Sequence, residues 1–440
     1  MTASPALPAR PAGASPVASA PLTVRPVRGR ADTVAFTALP RVLHRGDPYR
    51  VPPSRSDQRS LIDRRRNPFF EVGTARLFLA RRGRKAVGRI AAAVDPRYQA
   101  LHDARGGLFG LFECADDPEA ASALFDAAAG WLRERGLETM LGPLGFSVHD
   151  ECGVLVEGFD GPPTVMMPYN PAYYPALYAA CGLAKAKDLL SWRVPVPPGG
   201  EPPGAAARAA RWAADAPDVR LRHLDPCRRE ADLAVVRDIY TDAWSGNYAS
   251  VPMTGREFSH AMDRLRPLVR PELVWFAEVR GEPVAFTFWL PDVNQALHAA
   301  RDTPLERSLG RPLGWLRTAR AVRRIDRARV ILTGVRAAHR ARGLTAALLA
   351  EAQRSAFRLG CTESEFSWLL EDNRDANRYA RAFGGVLHRR HRLYRRDLAD
   401  GSGPRPAAPA SPAASSTTPS TPLPTAVPAP AAPHVPGTRR

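Results

Sequence analysis

The stretch Val330–Gly360, VILTGVRAAHRARGLTAALLAEAQRSAFRLG, decides how this chain is read. Val330, Ile331, Leu332 and Val335 form an apolar run that predicts a short buried strand, and Leu344, Leu348, Ala352, Ser355 and Leu359 recur at helical spacing up to Gly360. Between strand and helix lies a basic turn, Arg336, Arg340 and Arg342, closed by Gly343. The first N–H groups of a helix have no partner within it and carry the positive end of its dipole, so this order makes a phosphate site. Gly343 has no side chain to block the approach. A solvated arginine turn before an ordinary helix would use the same residues, and the flanking sequence decides between them.

Working outward, Ser364–Leu370 (SEFSWLL) predicts a second strand, and Glu371-Asp372-Asn373 opens a helix through Ala382 that Gly384-Gly385 stops. Val386–Leu398 predicts a last pair of strands. The order Arg340-x-x-Gly343-x-Thr345 after a strand resembles the pyrophosphate loop of the GNAT N-acetyltransferase superfamily, where Gln or Arg, two residues, Gly, one residue, and Gly or Ala hold coenzyme A. Thr345 departs from that pattern at its last position. The superfamily also places an Asn near the end of its fifth strand, as Asn373 stands here, and the resemblance spans Val219–Leu398.

The halves of the chain repeat one another. Gly46 with Val51-Pro52 matches Gly246 with Val251-Pro252 at an offset of 200. Leu77–Gly83 and Val87–Val94 match Val274–Gly281 and Val284–Leu290, both reading as hairpins. Asn170 precedes Gly182 by the same twelve residues that separate Asn373 from Gly385. The fold class is therefore α/β (α+β): two tandem GNAT-like modules, each a twisted, mixed and mostly antiparallel sheet flanked by helices, with a parallel splay in its middle. The predicted divisions are a disordered tail over 1–20, a degenerate module over 21–194, a linker over 195–218, an acetyltransferase module over 219–398 and a Pro/Ala-rich disordered tail over 399–440. The whole is similar to two-module GNAT proteins of bacteria.

The modules differ at the phosphate loop. In the first, Gly107–Cys114 runs into Ala115-Asp116-Asp117-Pro118-Glu119, a well-capped helix start whose carboxylates, with Glu113, repel a pyrophosphate. That module also carries 21 extra residues between Gly136 and Asn170. Ser147, His149, Asp150, Glu151 and Cys152 within them sit on no recognisable nucleophile turn, and Met166, Met167, Tyr169, Tyr173 and Tyr174 suit a pocket wall or an intermodule contact. In the second module an extra piece, about 293–327, ends in a basic segment read as a helix.

The resemblance implies acetyl-coenzyme A (acetyl-CoA) as cosubstrate and transfer of its acyl group to an amine, on a small molecule or a peptide. It implies that Arg336, Arg340, Ala341, Arg342, Gly343, Leu344 and Thr345 hold the pyrophosphate, largely through backbone, that an N–H near Val335 stabilises the oxyanion, and that Asn373 lies beside the pantetheine. Glu371 is the candidate base, as a carboxylate at the mouth of the splay, though helix capping suits it equally. The superfamily's usual acid is a Tyr four residues before the helix-ending Gly. That count lands on Ala380 or Arg381, so Tyr379 is the nearest acid but is turned about 100° away. The same count in the first module lands on Tyr178, and Tyr394 is a more distant candidate. A non-catalytic acyl-CoA-binding or scaffold protein of the same fold is the rival reading.

Composition agrees with this frame. A chain of 440 residues, 45% hydrophobic, can bury two cores. All but Lys85, Lys185 and Lys187 of its 62 basic residues are arginines, and with the Ala and Pro excess the formal charge of +18 reads as compositional bias plus a surface for an acidic cofactor, not as a nucleic-acid module. Five scattered cysteines without a CxxC pair predict neither a metal site nor disulfides. No signal peptide or membrane span is evident, and the expected compartment is cytoplasmic.

Overall fold

The computed structural model describes residues 20–51, 54–244, 246–300 and 324–398. The first half runs β1 (Leu22–Pro26), α1 (Gly29–Leu43), α2 (Arg55–Ile62), β2 (Thr74–Arg82), β3 (Lys85–Val94), α3 (Pro96–Leu101), β4 (Gly106–Cys114), α4 (Pro118–Arg133), β5 (Thr139–Gly142), β6 (Val154–Glu157), α5 (Tyr174–Ala180) and β7 (Ala184–Pro195). After α6 (Gly204–Ala214), the second half repeats the plan: β8 (Val219–His223), α7 (Arg229–Trp244), α8 (Gly255–Leu265), β9 (Val274–Val279), β10 (Glu282–Pro291), α9 (Asn294–Ala300), β11 (Arg327–Val335), α10 (Leu344–Arg358), β12 (Glu363–Leu370), α11 (Arg374–Ala382) and β13 (Val386–Asp397). The expected tails and most of the basic segment near 314–327 lie outside the described residues.

All thirteen strands form one sheet in the order β1-β2-β3-β4-β5-β13-β7-β12-β11-β10-β9-β8, with β6 also on β13. Read inward from either edge, five strands of one half are followed by the last strand of the other. The final strands are thus exchanged: β13 lies between β5 and β7, and β7 lies between β13 and β12. The expected last pair of strands is instead this single twelve-residue strand.

The exchange is held by packing and by charge. From β7, Leu190, Trp192 and Val194 enter the second half's core with Leu349, Phe366 and Phe383, and the Trp192 indole donates to Asn377 Oδ1 at 2.9 Å. From β13, Tyr394 and the following Leu398 enter the first half's core with Phe112, Phe125 and Tyr178. Each aliphatic side chain so buried contributes about 1.5–3 kcal/mol. β13 is rich in arginine, which a central strand tolerates only if the charges are matched. Asp188 of β7, 1% exposed, accepts from Arg392 at 2.7 Å and Arg390 at 3.2 Å, and Arg389 donates to the carbonyls of Gly158 and Gly161. Burial opposes ionisation of Asp188, but the guanidinium groups and Lys185 hold its pKa below the usual range.

The stretch read as a linker carries α6, whose Ala206, Ala210 and Ala213 are buried, Ala210 against Ala346 and Ala350 of α10. Alanine at this spacing lets two helices approach closely.

Candidate active site

The two parallel pairs, β4–β5 and β11–β12, are where each half can open. β11 and β12 stay paired only from Arg327↔Glu363 to Val330↔Phe366. Beyond that β11 continues along β10 to Val335, while β12, paired with β7 from Glu363 onward, stays with it through Leu369↔Leu190 and Leu370↔Leu189. The gap is a cavity of about 380 Å³, walled by Leu332 and Gly334 of β11, Phe366 and Trp368 of β12, Trp244 of α7 and Tyr379 of α11.

At its mouth Ala337–Arg342 form a 3-10 turn, and Gly343 starts α10 with φ +68° and no side-chain cap. Left-handed backbone of this kind favours glycine. The Gly343 carbonyl takes the N–H groups of both Ala346 and Ala347, so those of Leu344 and Thr345 have no partner within the helix. Arg340 is exposed and lines the cavity with Thr345. Arg342 is tied to Asp218 at 2.6 Å, which anchors the turn beside β8, and Arg336 reaches the Pro283 carbonyl at 3.5 Å. The Ala337 N–H donates to Asp242.

Val335 closes β11. The Arg336 N–H donates to Val284 O at 2.9 Å, and because successive strand residues present their amides to opposite sides, the Val335 N–H faces the gap. In the first half Ala115 N–H donates to Val87 O at 2.8 Å, making Cys114 the counterpart of Val335. There the Tyr174 phenol accepts the Cys114 N–H at 3.0 Å and donates to Glu113 at 2.7 Å, while Glu113 pairs with His44 at 2.6 Å. Only about 70 Å³ remains beside them. The carboxylates expected to repel a pyrophosphate are also engaged: Asp117 caps α4 and, with Glu119, binds Arg82 at 2.6 and 2.5 Å. One half keeps its strand-end amide open and the other plugs it.

Asn373, exposed, caps α11 by accepting the Ala376 N–H and lines the cavity. Tyr379 lines it too, while Ala380, the position reached by counting back from Gly384, is fully buried beneath. The helix is turned so that Tyr379 is the residue toward the gap, correcting the orientation expected from that count. Glu371 is displaced from its expected place. Since β12 stays bonded to β7 through Leu370, the Glu371 carboxylate falls over β7, where it accepts from Lys185 at 2.8 Å and from the Asp188 N–H at 3.0 Å, away from the cavity. Tyr178 and Tyr394 meet with ring centres 4.9 Å apart and planes tilted by 47° inside the first half's core and do not line the gap.

Sequence reading missed the support behind the cavity wall. Ser367, which lines the gap, donates to Glu365 at 2.7 Å and accepts from Arg329 Nε at 2.8 Å. Glu365 also bonds His388 at 3.0 Å and the Thr164 hydroxyl of the other half. Burial alone would raise the Glu365 pKa, but these bonds hold it far below the carboxylate range, and burial pushes Arg329 down to about 10. The alternation of Glu365, Ser367 and Arg329 along their strands reads as an outward polar face unless the opposing half is known.

This architecture has relatives. A family model described as the acetyltransferase (GNAT) family matches residues 234–384. A protein of Caulobacter vibrioides named bacterial ceramide synthase is 33% identical over 387 residues, covering 86% of this chain and 98% of its own. The chain belongs to the GNAT family. Protein YghO of Escherichia coli is 31% identical over 383 residues, covering 85% of this GNAT chain and 95% of its own. A tandem GNAT protein from the clavulanic acid biosynthesis pathway, solved without acetyl-CoA, superposes with a TM-score of 0.52 at 14% identity, covering 87% of this chain and all of that one, a likeness of fold. Among the described residues of this GNAT protein, no helix is long and apolar enough to cross a membrane.

Proposed function

We propose that the chain is an acyl-CoA-dependent N-acyltransferase that binds its donor in the second half and acylates an amine carrying a long apolar chain. The observation that carries this is the contrast between two equivalent amides: the Cys114 N–H is spent on Tyr174, whereas the Val335 N–H faces a cavity that begins at a basic, glycine-started helix.

In this reading the amides from Ala341 to Thr345, with Arg336, Arg340 and Arg342 around them, hold the pyrophosphate, and Asn373 flanks the pantetheine arm. The amine nitrogen bonds to the thioester carbon as the carbon–sulfur bond breaks. The Val335 N–H donates to the carbonyl oxygen as negative charge develops there. Tyr379 protonates the departing thiolate. The amine loses its proton to solvent, because Glu371 is committed to Lys185 and Asp188.

The acceptor class follows from the wall. Among the described residues, the charged ones lining the gap, Arg340, Asp375 and Arg378, are all exposed at its mouth, and the interior sets Trp244, Trp368, Leu332 and Phe366 beside the uncharged polar Asn247, Thr333 and Ser367, with no carboxylate among them. Such a wall suits an apolar chain better than a polycation or a charged peptide. The relative named bacterial ceramide synthase supports the same class, since a ceramide is an amide of a long-chain amino alcohol. Thiol release should be followed with acyl-CoAs from acetyl to palmitoyl against a long-chain amino alcohol, spermidine and a lysine peptide. Release with the amino alcohol is expected, and the acyl series tests the acetyl donor directly. Release only with peptide or polyamine overturns the acceptor class, and CoA binding without release from any pair leaves a scaffold.

A further inference from the structure

α6, between the two halves, buries Ala206, Ala210 and Ala213 yet leaves Trp212 66% exposed. Tryptophan is highly buried on average, so an indole this open on a packed helix is available to a ligand, and its surroundings decide which. Its place is specific: a Cβ built on Gly343 would lie 3.4 Å from Trp212 Cε3, so the ring sits in van der Waals reach of the residue that opens α10. Arg208, also exposed, is one helical turn away on the same face of α6, and exposed Arg211 adjoins it. The α6 residues Ala209 and Ala210 share an apolar contact with Ala346 and Ala350 of α10 and Tyr379 of α11, so α6 crosses on the side where those two helices flank the gap. A thioester arm entering the gap past Asn373 and Tyr379 leaves the other end of the pyrophosphate directed outward, past Gly343. The surface there is an aromatic plane with arginines beside it, which is the chemistry of a purine ring carrying a phosphate-bearing ribose.

We infer that Trp212, with Arg208, forms the nucleotide subsite of the donor, the indole stacking on the adenine. This rests on the donor reading above, and it adds a residue from outside the strand, loop and helices that line the gap. The test uses the full chain and two probes, coenzyme A and 4′-phosphopantetheine, which shares the arm but lacks the nucleoside. Calorimetric Kd values should show Trp212→Ala weakening coenzyme A by about 10- to 100-fold, as for other stacked bases. Trp212→Phe should keep part of the affinity, and the Kd for 4′-phosphopantetheine should stay the same in all three proteins. Unchanged coenzyme A affinity in Trp212→Ala overturns the subsite while leaving the donor reading intact. Equal loss for both probes also overturns it, since the indole would then be shaping the loop. If the unmodified chain binds no coenzyme A, the donor reading itself fails and the subsite with it. The exposure of Trp212 predicts an unaltered melting temperature in both variants, which separates binding from folding.

Discussion

Replacing Gly343 tests the phosphate loop most directly, because two separable costs meet there. With φ at +68°, most L residues cost about 1–2 kcal/mol for left-handed backbone, Asn being the exception. A Cβ there would lie 3.4–3.5 Å from Trp212 and Ala213, ordinary van der Waals contact that adds no cost of its own. Gly343→Ala carries the backbone strain alone and should lower stability by that amount with little change in coenzyme A affinity. Gly343→Glu adds a carboxylate beside the bound pyrophosphate. A pair of like charges 4 Å apart costs about 1 kcal/mol in water and about 4 kcal/mol at the effective dielectric of a protein surface. Taking about 1–2 kcal/mol for a flexible side chain at this open mouth, affinity should fall about 5- to 30-fold beyond the alanine variant. Gly343→Asn, which tolerates the backbone, should recover most of the stability. Thermal melts and calorimetric titration with coenzyme A on the three variants read both effects. A folded Gly343→Glu protein that binds as tightly as the parent would refute the placement of the pyrophosphate on α10.

Tyr379→Phe should lower kcat by about 100-fold or more while leaving the coenzyme A Kd unchanged, whereas Glu371→Gln and Tyr178→Phe should leave kcat within a few fold; steady-state rates on the three variants check this, and a rate lost only in Tyr178→Phe would reinstate a composite site. The His44–Glu113 pair gives a pH signature. Burial alone would lower the His44 pKa, but Glu113 raises it above the usual 6.5, so the stability it contributes is complete below about pH 6.5 and lost as pH rises through the raised value. Urea midpoints should therefore separate the parent from His44→Gln more at pH 6 than at pH 9, and a constant difference would exclude a charged pair. Removing 386–397 should leave neither half folded, because β5 and β7 both lose a partner; retention of native near-ultraviolet dichroism by the shortened chain would count against the exchange.

The parts of this fold that were legible in the sequence are those set by local chemistry. The apolar period of Leu344, Leu348 and Ala352 and the stops at Gly343 and Gly360 placed α10 to within a residue, and the repeated hairpins placed the halves. What could not be read was partnership. Local sequence can show that Ala184–Pro195 and Val386–Asp397 are extended but carries no label for the sheet each joins. The place of Glu371 could not be read for the same reason: its neighbour in space is β7, 183 residues earlier in the chain at Asp188. Tyr379, the tyrosine nearest the counted position, lines the gap because the helix is shifted by one residue from the usual count, and only its orientation could not be read. The α6 segment looked like a linker because Pro and Gly flank it and its buried face is only alanine.

The exchange of β7 and β13 has a consequence for how the protein is made. Gly142 pairs with Tyr394, and 252 residues separate them (394 − 142), so at about 5–20 residues per second the ribosome needs roughly 10–50 s between exposing β5 and delivering its neighbour. Throughout that interval the nascent first half presents an open strand edge, the kind of surface that recruits wrong partners. The strand that emerges first, β7, is also twelve residues long and competes for the place that β13 takes. Asp188 keeps Lys185 of its own strand at 2.9 Å but gains Arg390 and Arg392 only when β13 arrives alongside, so early closure leaves this buried carboxylate short of its two guanidinium partners. The acidic residue in β7 thus favours the arrangement in which β13, although made last, takes the place beside β5.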